Sequence, residues 1–126
     1  MTKFSRDHVA VIINKKVATL CLTEELLKNV EHISSIRLPD ENNEVGYGDE
    51  FAMVHTATED IEVLSPITGT IIQVNEKLFE DLDELLDNPD KNWLCKISID
   101  DPSEIQELLD FDDYHEFCDN EEREDY

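Results

Sequence analysis

The segment from Phe51 to Gly69 constrains the fold more than any other part of the chain. It has the form of a strand, a turn around Thr56, Ala57, Thr58, Glu59 and Asp60, and a second strand closed by Ser65-Pro66-x-x-Gly69. β-Branched and aromatic residues bounded by turn formers favour a pleated hairpin with one buried face. Any fold proposed for the chain must place this hairpin.

A length of 126 residues predicts one domain, and 40% hydrophobic residues suffice for one modest core. No apolar run approaches the roughly 20 residues of a membrane span. The N-terminal Met1-Thr2-Lys3-Phe4-Ser5-Arg6-Asp7 lacks the apolar core of a secretory signal. A cytoplasmic location is therefore expected, or the mitochondrial matrix after removal of a transit peptide if the source is eukaryotic. The formal net charge of −22 argues against nucleic acid and anionic lipid, whose binding depends on Lys and Arg neutralising phosphates. It favours either a plain solvated surface or encounter with basic protein surfaces. Cys21, Cys95 and Cys118 form no C-x-x-C pair and leave an odd count, so a disulfide framework is not expected. Cys21 and Cys95 read as small core residues, and Cys118 as part of an acidic tail that raises its pKa.

Elsewhere, Val9–Ile13 and Val17–Leu22 flank a polar Asn14-Lys15-Lys16 turn and predict a second hairpin. Thr23 is placed to cap a short helix opened by Glu24 and Glu25. Ile33, Ile36 and Leu38 mark a strand ended by Pro39, and residues 40–49 carry turn chemistry. Thr70–Val74 reads as a strand. Leu78, Phe79, Leu82, Leu85 and Leu86 then repeat with helical spacing, which predicts one amphipathic helix stopped by Asn88-Pro89. Trp93, Cys95, Ile97 and Ile99 alternate as the inner face of a strand, with Trp93 and Phe79 expected in the core. Asp101-Pro102-Ser103-Glu104 signals a helix start, with Glu104 placed to reach back to the cap. A last helix over residues 112–118 presents Tyr114 and Phe117, before an acidic tail at 119–126 that is expected to be disordered. The class is α+β, mainly β: a small antiparallel sandwich with short helices at its edges and a C-terminal helix, as one domain over 1–118.

These pieces resemble, in order and spacing, the glycine cleavage system H protein, a lipoyl-carrier family. Val17-Ala18-Thr19-Leu20-Cys21-Leu22-Thr23 is similar to that family's Val-Ala-Thr-Val-Gly-Ile-Thr. Ile36-Arg37-Leu38-Pro39 matches its Val-Glu-Leu-Pro, and Gly48-Asp49-Glu50-Phe51-Ala52 its Gly-Glu-Glu-Phe-Ala. Asn92-Trp93-Leu94-Cys95-Lys96-Ile97 resembles its Gly-Trp-Leu-x-Lys-Ile strand. The resemblance runs from about His8 to Phe117 and implies a lipoyl/biotinyl-domain-like hybrid sandwich. It also implies lipoate as cofactor, glycine-cleavage enzymes as partners, and no catalysis by the chain itself.

The departures from the family fall where its chemistry is expected. Its hairpin turn reads roughly Glu-Ser-Val-Lys-Ala, and the lysine carries lipoic acid through an amide. Here Thr58 stands at the lysine position, His55 at the glutamate, and Glu59 and Asp60 replace small residues. A second family stretch, Leu-Gly-Asp-Val, borders the cleft that shelters the arm; it is Val30-Glu31-His32-Ile33 here. A threonine hydroxyl forms no amide, so the expected cofactor set is empty. The reading that follows is a non-lipoylated binding, scaffold or regulatory module meeting basic-surfaced glycine-cleavage or lipoyl-attachment enzymes. An aminomethyl carrier in glycine decarboxylation is the first alternative. The second is a metal-binding or pH-sensing pair made of His32 and His55. Lys77, which opens the expected amphipathic helix, is the candidate for a displaced arm. No nucleophile triad, phosphate loop or zinc motif supports an enzyme.

Overall fold

The computed structural model describes the backbone of residues 1–124 and the side chains of residues 1–121. Two antiparallel sheets face each other across one core. The larger contains β1 (Thr2–Phe4), β2 (Val9–Asn14), β3 (Val17–Leu22), β5 (Glu44–Val45), β8 (Gly69–Val74) and β9 (Cys95–Ile99), in the order β1-β2-β3-β9-β8-β5. The smaller has β6 (Glu50–Thr56) in the middle, flanked by β4 (Ile33–Arg37) and β7 (Asp60–Leu64). Three short helices lie at the margins: α1 (Glu24–Leu27), α2 (Glu84–Asp87) and the C-terminal α3 (Phe111–Glu124).

The period-two pattern of the strands builds the core. Val9, Val11 and Ile13 of β2 and Ala18, Leu20 and Leu22 of β3 point inward and meet Ile33, Ile36, Val54 and Val63 of the smaller sheet. Consecutive Phe51 and Ala52 are both buried because the β6–β7 register shifts between Glu50 and Ala52, a bulge that turns both inward. Gly69 is fixed by a close approach: a Cβ there would stand 2.1 Å from the Ser98 carbonyl oxygen and 2.4 Å from Cγ2 of Ile97.

The sequence-based expectations fail in five places. Residues 78–86 are not one helix. A 3₁₀ turn over Glu76–Glu80 and α2 are separated by an extended Asp81, whose carboxylate accepts from the Glu84 N–H at 3.3 Å. Aspartate side chains here compete with the helical backbone for its donors. Leu78 and Leu85 are buried as the spacing requires, but Phe79 is 55% exposed rather than core. The ninth strand starts at Cys95, leaving Trp93 half-buried before it with the Lys96 ammonium 5.1 Å from its ring centre. Asp101 caps its segment as expected, accepting from the Ser103 N–H at 3.0 Å, but Pro102–Glu107 is a 3₁₀ helix. Glu104 does not reach back to the cap; its carboxylate accepts from the Thr68 N–H at 2.7 Å and the Thr68 hydroxyl at 2.8 Å.

The fifth concerns the tail. Residues 119–124 continue α3 instead of breaking away at Cys118. The Glu121 carboxylate lies 2.8 Å from Nε2 of His8, and Cys118 is buried beneath the helix. Asp125 and Tyr126, also expected in that tail, lie outside the described residues. The strands β1 and β5, of three and two residues, carry too little pattern to be read in advance.

Candidate functional site

The β6–β7 hairpin places Thr58 at its exposed tip. Thr56 closes the turn. Its N–H donates to the Glu59 carbonyl at 2.9 Å and its hydroxyl donates to the same oxygen at 2.9 Å. That hydroxyl also accepts from the N–H of Thr58 at 3.3 Å and of Glu59 at 3.0 Å. A threonine side chain thus does the work of a backbone turn, and Ala57 and Thr58 are left facing solvent. The side-chain hydrogen bonds of the turn are all local.

The next pair down the ladder holds two of the departures. His55 and Asp60 face each other across β6 and β7, with Nδ1 of His55 2.7 Å from Oδ1 of Asp60. The replacements at 55 and 60 are therefore cross-strand partners, a relation that register reveals and sequence order hides. His32 immediately precedes β4, and His55 lies on the neighbouring β6, where Ile33 pairs with Thr56 and Ser35 with His55. The structure gives each its own carboxylate, His32 taking Oδ1 of Asp83 at 3.0 Å. Among the described residues no three His, Cys, Asp or Glu side chains are grouped to hold a metal. Sequence reasoning named both histidines and missed both partners. Asp60 was recoverable from the hairpin register; Asp83, 51 residues from His32, was not.

Glu31 lines a shallow cleft of about 450 Å³ with Glu24, Leu27, Lys28, Val30, Leu86 and Asp87, three carboxylates against one ammonium. Neither His32 nor any residue of the hairpin tip is part of its wall. The cleft position is thus acidic, and the two halves of the expected arm site, tip and cleft, carry no common wall.

The family's prosthetic group can be tested against these residues. A lipoyl amide needs a primary amine at the tip, and residues 50–64 contain no lysine. Lys77 lies in the 3₁₀ turn after β8, and Lys28 at the end of α1 is bonded to the Glu25 carboxylate at 2.7 Å. Neither belongs to a hairpin tip. The tip as built does not fit a tethered lipoate.

The thiols offer no substitute nucleophile. Burial pushes the Cys21 thiol up from 9.0 to about 11, with the Asp90 carboxylate adding to it. Burial likewise raises Cys95 to about 12, helped by Cys21. Cys118 is raised mainly by burial, then by Glu25 and Glu121, against a lowering hydrogen bond from Tyr114. At neutral pH all three are protonated and poorly nucleophilic.

Three comparisons place the scaffold. The family model described as "Glycine cleavage H-protein" matches residues 2–121. The glycine cleavage system H protein of Staphylococcus epidermidis is 36% identical over 115 residues, covering 90% of this chain and 91% of that protein. Its counterpart from Thermotoga maritima is 33% identical over 119 residues, with 94% and 96% covered. The crystal structure of the H protein from Mycobacterium marinum superposes with a TM-score of 0.82 at 18% identity, covering 91% of this chain and 94% of that one. Matched along nearly its whole length, the chain belongs to the glycine cleavage H-protein family.

Proposed function

We propose that this chain is an H-protein scaffold that works without lipoate, as a binding or regulatory module for enzymes that handle H proteins. The observation that carries this reading is Thr58 at the exposed hairpin tip, in place of an amine. A carrier depends on a stable amide and a long arm, which together raise the effective concentration of cargo at each partner. A threonine hydroxyl supplies neither. The rest of the hairpin keeps its strand pairing and its closed turn, so a surface that docks an H protein can dock this one and find nothing to modify.

The partners this implies are glycine-cleavage enzymes or a lipoyl-attachment enzyme, approached through basic surfaces. A net charge of −22 speeds such encounters and makes them sensitive to salt. A competition assay tests the reading. A lysine-bearing H protein is lipoylated by a lipoate–protein ligase while this chain is titrated in. Slower modification of the lysine-bearing protein, with this chain unmodified, supports a decoy or scaffold role. Unchanged kinetics, together with no binding to any isolated glycine-cleavage enzyme, would remove it.

The carrier alternative draws on family membership alone, which is substantial at 36% identity to a named H protein. It requires an aminomethyl-bearing arm, and no residue of the tip provides the attachment. A shared zinc or pH-sensing pair of His32 and His55 is less well supported: each imidazole lies against a separate aspartate, and among the described residues no three ligand side chains are grouped.

A further inference from the structure

A groove of about 850 Å³ lies on the face of the larger sheet that points away from the core. The ladder register explains its floor. Thr2 pairs with Ile12, Phe4 with Ala10, and Ala10 with Cys21, so these side chains emerge on one side while Val9, Val11 and Leu20 emerge on the other. One wall is α3, whose Phe111, Tyr114, His115 and Cys118 follow at helical spacing. Phe4 stacks on Tyr114 at 4.6 Å between ring centres and meets Phe111 edge-on at 6.0 Å. This wall is firmly held. The Tyr114 hydroxyl lies 2.8 Å from Nδ1 of His8 and donates to the Thr23 hydroxyl at 3.1 Å.

Two features separate this groove from a packing defect. Phe111 is 66% exposed and Ile12 37% exposed, so large apolar surface faces water on both floor and wall. Its rim carries Glu24, Glu25, Asp90 and Asp119, and among the described lining residues there is no lysine or arginine. Glu25 is partly engaged by Lys28 at 2.7 Å, which leaves the rim still negative. A second copy of the chain, itself at −22, is electrostatically the wrong occupant. Strand addition is also obstructed, because the Phe4 N–H and carbonyl at this edge are bonded to Leu109 at 2.7 and 2.8 Å.

We propose that this groove docks a basic amphipathic segment of a protein partner, which inserts apolar side chains between Ile12 and Phe111 and sets Lys or Arg against the acidic rim. Apolar anchors desolvated in such a groove supply the affinity, and the rim charges supply orientation and rate. No residue of the groove belongs to the β6–β7 hairpin, so the proposal stands or falls separately from the lipoate question.

The test uses the full chain and a fluorescent synthetic Leu/Lys peptide with its leucines at helical spacing, followed by anisotropy. The controls are a scrambled peptide of the same composition and a Leu/Glu peptide with the same apolar face. Phe111→Ala and Ile12→Glu, both at exposed positions, should each weaken the Leu/Lys peptide about tenfold. Ile72→Ala, at an exposed apolar residue outside the groove, should leave it unchanged. The scrambled peptide should bind about tenfold more weakly, and the Leu/Glu peptide not measurably. Equal binding of the scrambled peptide, or indifference to both groove variants, would reduce the interaction to bulk charge and overturn the proposal. So would a concentration-dependent dimer dissolved by Phe111→Ala, which assigns the groove to a second copy. Displacement of the peptide by neutral octyl glucoside at equal affinity would overturn it as well, by marking a small-molecule site.

Discussion

The tip and the stem of one segment obey different rules. At the tip, residues 57–60 are exposed and the side-chain hydrogen bonds close within the turn or across the β6–β7 pair, while Thr56 below them also pairs with Ile33 of β4. At the stem, residues 65–69, Ser65, Pro66, Ile67 and Gly69 are buried. The Ser65 hydroxyl donates to the Ile67 carbonyl at 2.6 Å, its backbone bonds Gly48 and Asp49, and Thr68 is held by Glu104 from 36 residues away. The stem is tied to the rest of the molecule, so exchange there disturbs the fold. The tip is tied to itself. A residue placed on such a tip is replaceable with little structural consequence, so the architecture does not constrain what stands at position 58.

Substitutions can break or sharpen this contrast. Gly69→Ala should have the largest effect, because the new methyl meets backbone that cannot retreat without separating β8 from β9; a loss of about 3 kcal/mol is expected in urea unfolding. A loss indistinguishable from zero would mean that the stem is plastic. Glu104→Ala removes a carboxylate accepting two bonds from Thr68 and should cost about 2 kcal/mol, with Glu104→Gln costing less because an acceptor remains. Thr56→Ala deletes the hydroxyl that organises the turn and should cost about 1 kcal/mol, recovered in Thr56→Ser. Thr58→Lys should change stability by less than about 0.5 kcal/mol, the ordinary range for an exposed site. If it destabilises as much as Glu104→Ala, tip and stem are coupled and the contrast fails.

The sequence disclosed what depends on local pattern. The alternation in β2, β3 and β6–β9, the Thr23 cap, accepting from the Leu26 N–H at 3.2 Å, and the exposed turn at Thr58 were all legible. What was not legible depends on distant partners or on competition at short range. The spacing of Leu78, Leu82 and Leu85 suits a helix, yet two short turns satisfy it equally once Asp81 takes a backbone donor. Glu104 carries the signature of a capping box, and Thr68 outcompetes the cap for its carboxylate. The acidic composition of residues 119–124 argues for disorder, but the aromatic face that begins at Phe111 and the His8–Glu121 contact draw the helix onward. The groove was half visible: Tyr114 was expected on a helix face, while Phe4 and Ile12 joined it only through register.

The central claim is that the chain keeps the family fold while its hairpin tip, with Thr58, offers no amine for lipoate. The direct measurement is intact mass after incubation of the wild-type chain and Thr58→Lys, side by side, with lipoate, ATP and a lipoate–protein ligase. The account predicts an unmodified wild type and one added lipoyl group on Thr58→Lys. A lipoyl group on the wild-type chain would contradict it.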